Sequence, residues 1–348
     1  MQNKRLSLYS IGHFLIDFTS AFLLLGIIKG LNIEMFIYSL LIYNFCAFAL
    51  QLPIGIIGDN LNRNNKISSI GLIISAAAVL FSVTGLISQV IIISILLGAG
   101  DACYHVGAGI DTLNDSVEKQ WRLGVFGSFG GLGLFVGGLL GGQILNTQIV
   151  PYMLVVGLLL LFAFILLGIP MYENGHSENV PFEIDNIKSV GIVVLLCMSF
   201  VVIINSYMSV AVSFSWQVGV WAVVCAIGIF IGKILGGVLS DKFGIKIASI
   251  ISLLGSSVFF MFSSNQICGT IALLLFAMTV PMTLWVPARI LPKAKGFSFG
   301  IVKFSIFLGA ALYFFNVLNL NSSWQYAFWS VLSAVAMFIG LRDNKSIK

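Results

Sequence analysis

Charge is scarce in this chain. Of its 348 residues only 9% are Asp, Glu, Lys or Arg, against 59% hydrophobic, and the mean hydropathy is +1.05. That balance excludes a soluble globular domain, which cannot enclose so much apolar surface. Paired cysteine is missing as well. Cys46, Cys103, Cys197, Cys225 and Cys268 stand singly inside apolar runs, with no spacing suited to a disulfide framework or a zinc knuckle, and read as small buried hydrophobes. No glycine-rich segment leads into the Lys-Ser/Thr of a phosphate loop, so ATP is not expected as the energy source. Short strands of about ten residues alternating apolar with polar, the mark of a membrane β-barrel, are also lacking.

What the chain has is a succession of apolar runs of about 20 residues, the length a helix needs to cross a bilayer. Breaks at polar clusters, Gly and Pro give twelve candidate spans, near 8–28, 33–57, 67–86, 89–113, 122–145, 150–171, 189–210, 214–239, 247–264, 268–289, 296–318 and 323–341. The expected fold is an all-α membrane protein. Lys4 and Arg5 ahead of the first run suggest a signal peptide, but that run carries His13 and Asp17 and lacks a small-residue cleavage site, so it reads as a retained helix. Cations fall in alternate loops: Arg63 and Lys66, Lys119 and Arg122, Lys188, Lys242 and Lys246, Arg289, Lys293 and Lys295, and Arg342, Lys345 and Lys348. The opposite set of loops holds only Lys29. By the positive-inside rule both termini are cytoplasmic in an inner (plasma) membrane. The net charge of +5 is thereby accounted for by the bilayer surface, and no nucleic-acid partner is expected.

The one sizeable polar loop, 172–188, divides an N-terminal unit (1–171) of six spans from a C-terminal unit (189–348) of six more. The loop after span 2 reads GIIGDNLNRNNK (55–66) and that after span 8 reads GVLSDKFGIK (237–246). Aligning Gly55 with Gly237 aligns Asp59 with Asp241, and three residues further stand Asn62 and Gly244, the residue types that best adopt a left-handed helix stop. Arg63 and Lys246 follow. This Gly-x-x-x-Asp-x-x-Gly-x-Lys pattern, in a six-plus-six bundle, resembles the major facilitator superfamily, with Asn62 in place of the glycine in the first copy. The resemblance implies two six-helix halves rocking about a midplane site, and a cytoplasmic latch involving Asp59 and Arg63 that stabilises the outward-facing state. On the residues alone, these charges also serve to end helices and set topology.

Span 5 contains GSFGGLGLFVGGLLGG (127–142). Small residues let two backbones approach closely in lipid, so Gly133, Gly137, Gly141 and Gly142 are expected to form a packing face. The pattern is similar to that of the drug–proton antiporter branch, which carries proline where Gly138 stands, and it points towards export.

Three histidines are present, and two of them lie four residues from an aspartate inside a span: His13 and Asp17 in GHFLIDFTS (12–20), and Asp101 and His105 in GAGDACYHVGAG (98–109). A spacing of four puts each pair on one helix face. Counted from the cytoplasmic end, the two pairs differ in depth by only about 4–5 Å. Each ionised group is disfavoured against lipid, so the four are expected to face the interior and form one cluster. Three roles remain open for it: proton coupling or substrate contact, a static network locking helix 1 to helix 4, or a two-His, two-Asp metal site. The spacing is that of a helical face and not of a dedicated ligand motif, so no metal and no cofactor is expected. The elements HFLID and YHVGAG resemble the fosmidomycin-resistance branch, whose members typically have proline where Val106 stands. In the second half, Lys233 and Lys303 each lie about 12 Å in from the cytoplasmic end and either snorkel or face the cavity. Asn205 and Trp285 are further cavity candidates, each also readable as ordinary packing. The expectation is a monomeric, non-enzymatic secondary transporter for a small organic solute, working by alternating access with protons in the direction of efflux. Proton-coupled uptake, a divalent-metal permease, a membrane-embedded metalloenzyme and a transporter-derived sensor stand as alternatives.

Overall fold

The computed structural model describes residues 2–28, 33–61, 63–83, 90–143, 189–318 and 320–342, with scattered positions between 153 and 165 and Glu183. Lys29, Asn62, Lys188, Lys345, Lys348, most of the sixth expected span and the rest of segment 172–188 lie outside the described residues. Every regular element among the described residues is helical.

The first span is α1 (Gln2–Ala21), continued by a π-helix over Phe22–Ile28. It begins six residues before the apolar run does, because its polar first turns are held: Arg5 reaches the Asp115 carboxylate in the fourth span. The second, α2, runs Ile33–Asn44, widens to a π-helix over Phe45–Ala49 and resumes over Gln51–Leu61. Pro53 explains the widening, since it has no N–H for the Ala49 carbonyl and its ring crowds that group. The Gln51 side chain donates to the nearby Ala47 carbonyl at 2.6 Å. Then follow α3 (Asn64–Val83), α4 (Val90–Asp115) and α5 (Trp121–Gln143), with helical residues between 153 and 162 as α6.

The second set is α7 (Ser189–Ala211), α8 (Val220–Phe243), α9 (Ile245–Met261), α10, α11 (Lys295–Phe314) and α12 (Ser323–Gly340). Helix α10 is broken into Gln266–Ala277 and Val280–Ile290, where Pro281 removes the bond to the Ala277 carbonyl. Helix α8 starts six residues later than its apolar run: Phe214 and Trp216 stack on each other outside the helix, and Gly219 takes φ 55 to start it. It also ends four residues later, at Gly244, whose φ of 83 is the left-handed conformation that favours glycine.

Nine of these helices are long and apolar enough to cross a membrane. Large apolar side chains point outward along these helices and the shorter α9, Leu196 at 65% exposure and Ile251 at 66% among them, as a lipid-facing surface requires and a water-facing one does not. Inside, each half has its own core. Tyr9, Ile16, Leu72, Leu97, Tyr104 and Phe126 belong to one, and Met198, Tyr207, Leu253, Phe260, Met282 and Met337 to the other.

Glycine sets the tightest packing. Gly133, Gly137 and Gly141 of α5 lie against the α1 backbone at Phe14, Phe18 and Phe22, one helical turn apart. Gly142 continues α5, and its surroundings are outside the described residues. A Cβ at Gly133 or Gly137 would run into a backbone carbonyl that cannot step aside, whereas one at Gly127 meets only a Val280 methyl at ordinary contact distance. Gly133→Ala and Gly137→Ala should therefore each destabilise the bundle by roughly 1–3 kcal/mol. Thermal unfolding in detergent should show a clear drop for both and none for Gly127→Ala.

Candidate functional site

The interior of the bundle holds one dense polar cluster, where α1 meets α4. The two helices run antiparallel, and α1 carries a stripe with a period of four: Arg5, Tyr9, His13, Asp17. Opposite them α4 offers Asp115, Asp111, His105 and Asp101. At one end Arg5 holds Asp115, whose backbone carbonyl also receives Arg122. One step in, the Tyr9 hydroxyl donates to Asp111 at 2.6 Å, which Asn64 of α3 also reaches at 2.8 Å. The Tyr104 hydroxyl donates to the Tyr9 carbonyl at 2.7 Å.

Deeper still lie His13, Asp17, Asp101 and His105, exposed by 5, 5, 1 and 2%. The structure brings all four together and turns none towards lipid. His105 Nδ1 is 2.6 Å from an Asp101 carboxylate oxygen and 2.9 Å from the Asp101 carbonyl. The other carboxylate oxygen of Asp101 accepts from the Tyr43 hydroxyl of α2 at 2.7 Å. His13 Nδ1 is 2.7 Å from the Phe126 carbonyl of α5. Gly130, one turn on, leaves the space that the His13 ring fills. The two Nε2 atoms face each other at 2.7 Å, with the ring planes at 89°. Asp17 flanks this contact, 3.4 Å from His13 Nε2 and 3.7 Å from His105 Nε2.

Two lysines of the second half complete the field. Lys303 of α11 is buried at 8% exposure, with its ammonium 5.2 Å from the Phe299 ring and in electrostatic reach of Asp17 and Asp101. Lys233 of α8 donates to the Gly127 carbonyl of α5 at 3.0 Å and acts electrostatically on Asp17. The other cavity candidates sit elsewhere. The Asn205 amide makes a long contact of 3.4 Å with Thr279, at the break in α10. Trp285 donates to the Ser116 carbonyl at 2.8 Å, just beyond the end of α4, and so ties the halves together near the loops.

A metal ion is a natural thought here, since His13, Asp17 and His105 offer ligand atoms within 4.8 Å of one another. The Nδ1 atoms are also held as metal-bound histidines hold theirs. The spacing argues against it. Two nitrogens on one tetrahedral zinc at about 2.0–2.1 Å stand about 3.3 Å apart. The 2.7 Å between the Nε2 atoms is a hydrogen-bond length.

The duplicated loops meet the opposite half. The Asp59 carboxylate accepts from the backbone N–H groups of Gly296 and Phe297, at 2.7 and 2.8 Å, at the start of α11. The Asp241 carboxylate accepts from Gln120 and Trp121, at 2.7 and 3.1 Å, at the start of α5. Each carboxylate satisfies free donors at the positive end of a helix dipole. One turn before each aspartate, Gly55 lies against the Gly296 backbone and Gly237 against that of Trp121, so that the acid can reach across. Arg63 is exposed and takes no part in the Asp59 contact; Lys246 lies over the Phe338 ring at 4.6 Å.

Sequence reasoning passed over Tyr43, Tyr9, Asp111, Arg5 and Asp115. The period-four stripe on α1 is a signal that points to Arg5 and Tyr9. Nothing local marks Tyr43, whose role depends on how α2 packs on α4.

No protein-family model matches the sequence, and no curated protein is significantly similar to it. Solved structures are similar in fold across nearly the whole chain. The Major Facilitator Superfamily transporter FucP in its outward conformation matches with a TM-score of 0.71 at 15% identity, covering 98% of this chain and 99% of its own. The human organic anion transporter MFSD10 (TETRAN) gives 0.66 at 15% identity, covering 97% and 99%. A bacterial homologue of the iron transporter ferroportin, in an outward-facing state, gives 0.62 at 14% identity, covering 97% of both. The chain has the major facilitator fold: a multi-pass bundle of membrane helices in two halves.

Proposed function

We propose that this chain is a secondary transporter which exports a small organic solute in exchange for protons by alternating access. On this reading it works as a monomer in the inner membrane, with units 1–171 and 189–348 joined by a cytoplasmic linker, 172–188, and with both termini cytoplasmic. The observation that carries the proposal is the buried meeting of His13, Asp17, Asp101 and His105 opposite Lys303 and Lys233. Burying isolated charges in a bilayer-spanning bundle costs several kcal/mol per ion. A cluster of histidines and carboxylates escapes that by trading protons internally, and it changes its proton count when water reaches it from a new side. A structural lock between α1 and α4 needs none of this, because the Arg5–Asp115 and Tyr9–Asp111 contacts already join the two helices.

At the basic end the halves are joined by Asp59 to α11, Asp241 to α5, Trp285 to Ser116 and Lys295 to Asn114, and deeper between α5 and α8 by Ser128 to the Phe230 carbonyl and Lys233 to the Gly127 carbonyl. With that end cytoplasmic, these contacts support an outward-facing reading in which the two aspartates act as the latch. The efflux direction draws on the antiporter-like glycines of α5 and on the resemblance of HFLID and YHVGAG to the fosmidomycin-resistance branch.

A ligand panel scored by thermal shift identifies a solute, and flux in proteoliposomes with and without a pH gradient then tests coupling. Asp17→Asn and Asp101→Asn should each abolish gradient-driven flux while the protein stays folded. Unchanged flux in both sinks the coupling role. Asp59→Ala and Asp241→Ala each remove a helix-capping carboxylate worth about 1 kcal/mol. Each should raise thiol labelling at a cysteine introduced beside Trp285, and equal labelling with and without the carboxylates contradicts the latch.

A further inference from the structure

We infer that the coupling proton is held between the two imidazoles, hydrogen-bonded from the Nε2 of one of His13 and His105 to the Nε2 of the other. The inference rests on the proton-coupled reading above and names where in the cluster the proton sits.

The argument follows from which atoms donate and which accept. The Phe126 carbonyl only accepts, so His13 Nδ1 carries a hydrogen. His105 Nδ1 likewise carries a hydrogen, because the Asp101 carbonyl at 2.9 Å only accepts, and an Asp101 carboxylate oxygen lies 2.6 Å from the same nitrogen. That leaves the two Nε2 atoms, 2.7 Å apart. With no hydrogen between them, two lone pairs point at each other at hydrogen-bond distance. With two hydrogens, the N–H groups collide. One hydrogen fits. Counted over Asp101, His105 and His13, these protons make the triad neutral: one carboxylate, one imidazolium equivalent, one imidazole. No net charge is buried there.

The surroundings suit that state from every side. On α1, Asp17 stands 3.4 and 3.7 Å from the two Nε2 atoms, close enough to favour the positive charge but farther from each than the 2.7 Å between the rings. On α4, Asp101 sits behind His105, and on α2 Tyr43 holds that carboxylate in place. On α5, the Phe126 carbonyl orients His13. From the second half, Lys303 of α11 and Lys233 of α8 offset the Asp17 charge.

Release is a transfer between neighbours. The Nε2–H bond breaks, an O–H bond forms on the Asp17 carboxylate, and two neutral imidazoles remain with their lone pairs opposed. They must swing apart, and since His13 belongs to α1 and His105 to α4, the loss of one proton loosens the contact between the two helices. This gives the proton a mechanical effect at the centre of the first half.

The test is nuclear magnetic resonance of the full-length chain, ¹⁵N-labelled at histidine, in lipid nanodiscs at neutral pH. His176→Asn removes the third histidine, which lies in the 172–188 segment. The expected spectrum has both Nδ1 atoms protonated and a single strongly deshielded proton coupled to two nitrogens, one from each ring. His13→Asn and His105→Asn should each erase that signal and assign it. Two ordinary neutral rings with no nitrogen–nitrogen coupling overturn the inference. So does a purified protein carrying one equivalent of zinc on the two Nε2 atoms, measured by elemental analysis. The decisive spectrum comes from the intact pair, so a variant that fails to fold leaves the answer unaffected. Gradient-driven flux together with an uncoupled pair rejects the shared proton alone. A shared proton in a chain whose flux ignores the pH gradient rejects the coupling reading instead.

Discussion

The Nε2 atoms of His13 and His105 stand 2.7 Å apart, and what fills that gap sets the protonation of the buried cluster between α1 and α4. A carbonyl of α5 fixes one ring from behind and the Asp101 carbonyl of α4 fixes the other, so neither can turn to find a different partner. Apolar surroundings make that constraint strict, because no bulk solvent is on hand to satisfy a nitrogen left unpaired. Around it the chain builds inward from the loops in steps of four residues along α1, each matched by an acid or an imidazole on α4. The result is a polar seam inside a hydrophobic bundle.

The seam needs a rigid wall, and glycine supplies it. Because Gly133, Gly137 and Gly141 bring α5 into backbone contact with α1, the Phe126 carbonyl stands where His13 Nδ1 can use it. The joint between the halves is of another kind. At the basic end it includes two carboxylates capping two helix starts, with close glycine contacts beside each, and deeper in it includes Ser128 and Lys233 reaching carbonyls across α5 and α8. Such caps are modest individually and point at backbone donors that water can also serve. The cores on either side of the joint are continuous and apolar, and Leu113 and Leu123 of the first half pack into the second.

Much of this was legible in the residues. Apolar length and the alternation of loop charge gave the spans, and the nine described helices of sufficient length and apolarity agree with them. The spacing of four put His13 with Asp17 and Asp101 with His105 on common faces, and counting depth along two antiparallel helices brought the pairs level. Helix ends were less readable. Nothing apolar marks Gln2–Ser7 as helical, and their structure depends on Arg5 meeting an acid 110 residues away. Residues 214–219 have helical composition, yet stacking of Phe214 on Trp216 and the turn at Gly219 keep them out of α8. Pro53 was visible, but the π-helix upstream of it is a response that the sequence does not spell out. Trp285 has the right depth for a cavity and instead spends its N–H on Ser116, and Tyr43 joins Asp101 only through the packing of α2 on α4. Partners across helices are tertiary facts, which periodicity within one helix does not contain.

The account's central claim is that protonation of the cluster governs which end of the bundle is open. The most direct measurement requires no knowledge of the solute. Spin labels at Lys66→Cys and Lys242→Cys, one in each half at the basic end, report its opening once the five native cysteines are replaced by alanine. The account predicts that the share of long label–label distances changes between acid and alkaline pH, and that Asp17→Asn makes it insensitive to pH. A distance distribution identical at every pH in the unaltered cluster contradicts it.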